Sequence, residues 1–225
     1  MERVEELIKS LNEFKDWEIL EELTSTQKRG AFIEKFVEDC FSEAYGSFVF
    51  IHKMGSQEHP DFMIVPTKYV KSIERFRHKE LHQKSITGKV LKAWEQSEYN
   101  EDKIQILRIE VKTKSKQSYA LNDTFPTPLD YEDTIYFLAS VPEEKIYVTT
   151  SYTMARNSKT KPTVESRYIK SKDFMKSFRS RFKSQWADVP GITTYSRPNY
   201  SMNSEYAHIQ APVSRIKELV SRAGF

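Results

Sequence analysis

The sequence lacks the residues and runs that build disulfides, zinc clusters and membrane spans. Only one of its 225 residues, Cys40, is a cysteine, so the chain cannot form an internal disulfide or a cysteine-based zinc cluster, which fits a reducing compartment. No apolar run approaches the roughly 18 residues that a membrane helix needs. The N-terminus, MERVEELIKSL, is acidic and amphipathic rather than a signal peptide. We therefore expect a cytoplasmic protein with no membrane partner.

The composition is that of one folded domain with an uneven charge. Apolar residues make up 38% of the chain and charged residues 30%, which predicts a real core beneath a very polar surface. The length fits a single domain over 1–225. Residues 1–43 hold 6 Lys and Arg against 12 Asp and Glu, net −6, whereas residues 151–183 hold 10 against 2, net +8. The basic part either meets a polyanion or is a solvated face, and charge alone leaves both open.

The apolar pattern predicts helices, then strands, then helices again, which indicates a mixed α/β layer. An amphipathic helix over about 4–14 precedes a longer helix that starts near Ser25 or Thr26 and ends at Gly46. A mixed β-sheet of about five strands follows, beginning with a hairpin, and residues 67–103 are predicted to be a charged helical insertion. The predicted strands are 48–51, 62–65, 104–113, 134–139 and 145–152, and the predicted late helices are 171–187 and 212–222.

The stretch 109–114, IEVKTK, has charges at alternate positions of an otherwise apolar strand. Side chains of a strand alternate between its faces, so Glu110, Lys112 and Lys114 share one face. That face could lie in water together with Arg108, or Glu110 and Lys112 could form a structural ion pair. A third explanation is that the charges carry chemistry.

Asp61 favours the chemical explanation. It follows Pro60 and opens the apolar strand FMIV, where the backbone is restricted and a side chain can be aimed. Two carboxylates about 4 Å apart repel by roughly 4 kcal/mol at an effective dielectric near 20, so Asp61 and Glu110 would need a cation between them. Mg²⁺ is the natural occupant because it prefers oxygen ligands and keeps several waters. The ion would polarise a phosphodiester and activate a bound water, while Lys112 would orient that water and stabilise developing negative charge.

With Pro60-Asp61 followed by Glu110-Val111-Lys112, the sequence resembles the PD-(D/E)xK nuclease superfamily, and in particular type II restriction endonucleases. The order of an acidic helix, a hairpin carrying the aspartate and a strand carrying E-x-K extends the resemblance over roughly residues 25–150. The resemblance implies a restriction-endonuclease-like core, an α/β fold with a mixed sheet flanked by helices. It also implies that Asp61, Glu110 and the backbone carbonyl of Val111 bind Mg²⁺ and that Lys112 is catalytic.

The resemblance further implies an acidic residue on the first core helix. Glu34 fits this position and Glu38, one turn on, is the alternative, although an ordinary solvated glutamate explains Glu34 equally well. Asp61 and Glu110 are 49 residues apart, more than in compact members of the superfamily. Residues 67–103 must therefore be an insertion; if they belong to the core, the pairing of the two acids is in doubt.

DNA contacts are predicted in the basic C-terminal part, 151–225. The helix over 171–187 has one apolar and one basic face, so the basic face can follow a phosphate backbone. Polar residues of the loop 191–206 could read base edges, although an ordinary surface loop has the same composition. Cutting both strands of a palindrome suggests a homodimer. The candidate DNA-binding residues are Lys114, Arg156, Lys159, Lys172, Lys176, Arg179, Lys183, Thr194, Tyr195, Arg197, Asn199 and Asn203.

Other motifs are incomplete. His78 and His82 lie four apart but lack a third zinc ligand, and Gln83 replaces the first glycine of a phosphate loop at Gly88-Lys89. The leading hypothesis is a Mg²⁺-dependent type II restriction endonuclease that cuts double-stranded DNA at a defined sequence. The alternatives are a repair or junction-resolving nuclease with the same core and a non-catalytic basic DNA-binding protein.

Overall fold

The computed structural model describes residues 2–55, 60–114, 118–120, 134–150, 201–203 and 213–225. These residues form helices and strands in an α/β arrangement. The helices are α1 Glu2–Asn12, α2 Trp17–Glu22, α3 Thr26–Tyr45, α4 Val70–Phe76, α5 Gly88–Glu95 and α6 Val213–Arg222. The strands are β1 Val49–Lys53, β2 Phe62–Pro66, β3 Leu107–Lys114, β4 Ser118–Ala120, β5 Thr134–Ser140, β6 Lys145–Thr150 and β7 Ser201–Asn203.

The main sheet has five strands in the order β1-β2-β3-β5-β6. β1, β2 and β3 are antiparallel neighbours, β5 runs parallel to β3, and β6 is antiparallel to β5. β4 and β7 form a separate antiparallel pair. Phe62 is paired with Ile109 in the register of β2 and β3. Asp61, one residue before Phe62, therefore stands across from Glu110.

One face of the sheet is covered by α1, α2, α3 and α6. The apolar stripe of α3 includes Ile33 and Val37, both fully buried, and the facing strands contribute Ile109 and Phe137 to the same cluster. Burying each of these side chains contributes about 1.5–3 kcal/mol. Gly46, at φ +57°, ends α3, as the sequence predicts.

The other face is covered by α4, α5 and the π-helical turn Arg77–Leu81 that continues α4. Ile73 of α4 and Trp94 of α5 pack against Met63 of β2 and against Ile106, which immediately precedes β3. The segment 67–103 is helical in part, as predicted. It is also a full layer of the fold rather than a surface addition, since it buries one face of the sheet. From the sequence alone, the pairing of Asp61 with Glu110 is doubtful if residues 67–103 belong to the core. The two acids are nevertheless neighbours in the structure.

The coarse prediction of an α/β fold with a mixed five-stranded sheet flanked by helices is confirmed. The short helix α2 and the β4–β7 pair were not predicted, and β7 lies within the stretch that was predicted as a loop. The predicted helix 171–187 lies outside the described residues. No helix in the described part of the chain has the length and hydrophobicity needed to cross a bilayer.

Candidate functional site

Two hydrogen bonds join Asp61, which immediately precedes β2, to Glu110 and Val111 of β3. The backbone N–H of Asp61 donates to Glu110 Oε2 at 3.1 Å, and the backbone N–H of Val111 donates to Asp61 Oδ2 at 2.7 Å. The Glu110 carboxylate therefore accepts from the backbone of Asp61, and the Asp61 carboxylate accepts from the residue after Glu110. Hydrogen bonds to a charged acceptor are among the stronger ones. Because Phe62 and Ile109 point to the α3 face, Asp61 and Glu110 lie on the α4–α5 face.

Lys112 lies on the same face and forms an ion pair with Glu110. The residue Glu110 is 3% exposed, and the side chain of Lys112 is 29% exposed. The hypothesis that the charged face lies in water is therefore wrong for Glu110. It is also wrong for Arg108, which is buried and bound by Glu95 of α5.

The second alternative, a structural pair between Glu110 and Lys112, matches the contact itself. It does not account for Asp61, a further carboxylate held beside this pair. Burial of Asp61 is the largest cause that raises its pKa, to about 7, and the charge of Glu110 is the second. The N–H of Val111 and the charge of Lys112 act in the opposite direction without cancelling the rise. Burial and the neighbouring Glu110 therefore both disfavour the ionised form of Asp61.

Glu34 is the better of the two candidate helix acids. Its charge acts on Asp61 and contributes to the raised pKa, although it is the smallest of the causes. Glu34 Oε2 accepts from Lys53 Nζ at 2.8 Å, so this carboxylate is already partly neutralised. Glu38 instead pairs with Lys35 at 3.6 Å. Glu34 thus lies near the site as a charge on the α3 side of the sheet.

The donor set fits a Mg²⁺ ion held through few protein ligands. Within the described ranges, no group of three His, Cys, Asp or Glu side chains is arranged to hold a metal ion. Mg²⁺ does not need such a cage, because it keeps waters and binds through one or two carboxylates together with substrate phosphates. Asp61 and Glu110 supply two neighbouring carboxyl groups, and a bound cation would favour the ionised form of Asp61. For Val111 the contact in the structure is its N–H to Asp61, whereas the predicted metal ligand is its carbonyl.

Two residues of the surroundings were not predicted from the sequence. Lys53 pairs with Glu34, and its Nζ lies 5.7 Å from the centroid of the Phe62 ring. Glu95 binds Arg108 through both carboxylate oxygens and also accepts from the Ile106 N–H at 2.6 Å. Lys53 could have been identified from the sequence, because it ends the strand that precedes Asp61 and therefore lies near it in a hairpin. For Glu95 no local signal exists, since its partner depends on which helix covers β3.

The predicted DNA contacts lie almost entirely outside the described residues. This applies to residues 156–199 and to the side chains of Lys114 and Asn203, whose backbones belong to β3 and β7. No family model, no curated protein and no solved structure matches this chain. The chemistry of Asp61, Glu110 and Lys112 is therefore the basis on which a function can be inferred.

Proposed function

We propose that this protein is a Mg²⁺-dependent nuclease that hydrolyses phosphodiester bonds in double-stranded DNA. The observation that carries the proposal is the contact of Asp61 with Glu110 and Val111, with Lys112 beside the two acids on the same face. The two acids are 49 residues apart in the chain and adjacent in space. Their proximity supports the resemblance to the PD-(D/E)xK superfamily, because the motif requires these two acids to lie side by side.

The chain's own residues would bind the ion and position the reactants. Asp61 and Glu110 would hold Mg²⁺, and Asp61 would lose its proton as the ion binds, because positive charge offsets the burial that raises its pKa. When bound, Mg²⁺ would polarise the scissile phosphate and acidify a water molecule. With Glu110 engaged by the ion, Lys112 can donate to a phosphate oxygen or orient the attacking water. Burial around Glu110 strengthens each of these interactions.

The finer proposal is a type II restriction endonuclease with a restriction-endonuclease-like core, acting in the cytoplasm as a homodimer on a palindrome. It is supported by the order of α3, the β1–β2 hairpin and β3, which is the order that the sequence resemblance uses. The ion pair between Glu110 and Lys112 favours a second candidate, a non-catalytic DNA-binding protein in which this pair is structural.

Plasmid digestion separates these possibilities. Purified protein is incubated with supercoiled plasmid in Mg²⁺ or in EDTA, beside the Asp61→Asn variant as a metal-site control. Discrete fragments that require Mg²⁺ and Asp61 support a restriction endonuclease. Cleavage confined to branched or nicked DNA supports a repair or junction-resolving nuclease. DNA that is shifted in a gel but stays intact in Mg²⁺ contradicts nuclease activity and supports the non-catalytic candidate.

A further inference from the structure

A groove that contains the exposed Lys89 lies beside the candidate site, between the end of β1 and α5. Its volume is about 760 Å³, and its lining includes His52, Gln83, Thr87 and Lys89. Lys53 also lines it, but its ammonium group binds Glu34 on the α3 side of the sheet. Among its described lining residues none is acidic. None of the predicted DNA-binding residues lines it either.

The groove adjoins the Asp61–Glu110 site through the β1–β2 pairing. The backbone N–H of Met54, the residue after the groove's Lys53, donates to the Asp61 carbonyl at 2.9 Å. His52 pairs with Met63 in the strand register, so its side chain lies on the α4–α5 face of the sheet. Asp61 and Glu110 lie on that same face. A strand of nucleic acid held at the site therefore has this groove as its neighbouring surface.

The position of Lys89 is not explained by the stability of α5. Lys89 lies in the first turn of this helix, where the positive end of the helix dipole disfavours a cation. Its side chain is exposed, and within the described part of the chain its ammonium group takes part in no ion pair. The helix start is stabilised instead by Thr87, whose Oγ1 accepts from the Val90 N–H at 3.3 Å. A lysine at this position is suited to an external anion.

The whole layer around the groove is basic. Residues 67–95, which include α4 and α5, hold 8 Lys and Arg against 3 Asp and Glu, net +5. Two of the three acids are already engaged, since Glu95 binds Arg108 and Glu80 accepts from the Tyr99 hydroxyl. The potential on this side of the sheet therefore attracts a polyanion.

We propose that the phosphate backbone of the DNA substrate lies in this groove and that Lys89 contacts a phosphate there. The inference depends on the proposed nuclease function and adds the surface along which the substrate approaches the site. A lysine acts on a phosphate as a point charge and carries no sequence information. The groove therefore contributes affinity and position, and leaves sequence reading to other residues.

The test is the salt dependence of binding to a short DNA duplex, measured by fluorescence anisotropy in EDTA so that no cleavage occurs. Lys89→Ala should raise Kd several-fold and lower the slope of log K against log salt by about one. Lys89→Glu should raise Kd further, and Lys89→Arg should restore the wild-type slope. Lys71→Ala is the matched control, because Lys71 is an exposed lysine of α4 that does not line the groove.

Each outcome bears on a separate claim. If the wild type binds and cuts DNA but Lys89→Glu retains the wild-type Kd and slope, the groove assignment is wrong and the nuclease function stands. If Lys71→Ala weakens binding as much as Lys89→Ala, diffuse charge rather than the groove explains the effect, and the assignment again fails. If the wild type neither binds nor cuts DNA, the proposed function fails and the groove assignment fails with it. Unchanged circular dichroism spectra establish that the variants are folded.

Discussion

The two helical layers that enclose the sheet are opposite in charge. Residues 1–45, which form α1, α2 and α3, hold 6 Lys and Arg against 12 Asp and Glu, whereas residues 67–95 hold 8 against 3. Both layers bury an apolar cluster against the sheet, so packing does not distinguish them. Asp61, Glu110 and Lys112 lie on the basic side. Under the proposed function, the charge difference favours the basic face as the one that meets DNA and the acidic face as scaffold.

The layers also differ in how they use ion pairs. Glu95 of α5 binds Arg108 of β3 with both side chains nearly buried, at 11% and 3% exposure. On the acidic side, Glu5 of α1 binds Lys217 of α6 with 62% and 26% exposure. Water screens the second pair but not the first. The acidic layer also contacts the sheet through an ion pair, Glu34 of α3 with Lys53 of β1, but that pair is more exposed than Glu95 with Arg108.

The largest effect is expected from Lys112→Ala, which removes the cation of the candidate site. Cleavage of a DNA substrate in Mg²⁺ should fall by roughly 10²–10⁴-fold, because a donor that stabilises developing charge is lost. DNA binding should change little, since the basic layer remains. Single-turnover cleavage and anisotropy measure the two quantities separately.

The control for Lys112 is Lys145→Ala, which removes an exposed lysine from β6 of the same sheet. It should leave the cleavage rate unchanged. Wild-type turnover by Lys112→Ala would assign this lysine to the structural ion pair with Glu110 and would remove the distinction between a catalytic and a scaffolding face.

The next largest effect is expected from breaking the buried ion pair. Glu95→Ala leaves the Arg108 guanidinium buried without its carboxylate, which should lower the free energy of unfolding by about 3–5 kcal/mol. Glu5→Ala breaks an exposed ion pair between α1 and α6 and should cost much less, because water screens that pair. Urea denaturation followed by circular dichroism compares the two variants. Equal losses would mean that burial does not distinguish the two ion pairs.

Much of the fold could be predicted because its signals are local. The period of α3 and its end at Gly46 follow from neighbouring residues, and so does the β1–β2 hairpin. The meeting of Asp61 and Glu110 was predicted from the charges on the two strands and from a resemblance, and it depends on strand register, which periodicity does not specify. Arg108 was open to assignment as a solvated residue, because nothing in the sequence identifies the helix that covers β3.

The β4–β7 pair illustrates the same limit. Each strand has three residues, Ser118–Ala120 and Ser201–Asn203, and each finds its partner about eighty positions away. Short strands of this kind carry too few residues for an alternation signal. Their pairing is a consequence of the tertiary structure.

A smaller effect, with a definite pH dependence, is expected from Asp61→Asn in EDTA. Asp61 has a pKa of about 7 in the folded protein and an ordinary value of 3.8. Between these values the unfolded chain ionises first, so the free energy of unfolding falls as pH rises towards 7 and is constant above it. Asparagine does not ionise, so Asp61→Asn does not lose stability in this way. Between pH 5 and pH 8 its free energy of unfolding should rise by roughly 1–3 kcal/mol relative to that of the wild type.

Asp39→Asn serves as the comparison in the acidic layer. Asp39 is exposed and pairs with Lys35 at 2.7 Å, so its replacement should bring no gain at pH 8. Added Mg²⁺ should stabilise the wild type more than Asp61→Asn, because the ion binds only the ionised carboxylate. A gain in the free energy of unfolding for Asp61→Asn that is equal at pH 5 and pH 8 would contradict the raised pKa of Asp61.

The smallest effect distinguishes the two ends of α5 in the basic layer. Lys89→Glu places a carboxylate in the first turn and should raise the free energy of unfolding by about 0.3–1 kcal/mol, whereas Lys92→Glu, in the last turn, should lower it by a similar amount. If Lys89 is a phosphate contact, Lys89→Glu should bind DNA more weakly while melting at a slightly higher temperature. Such opposite signs are expected where a residue serves binding at the expense of stability. A lower melting temperature for Lys89→Glu would mean that Lys89 supports α5, and its place in the groove would then need no anion.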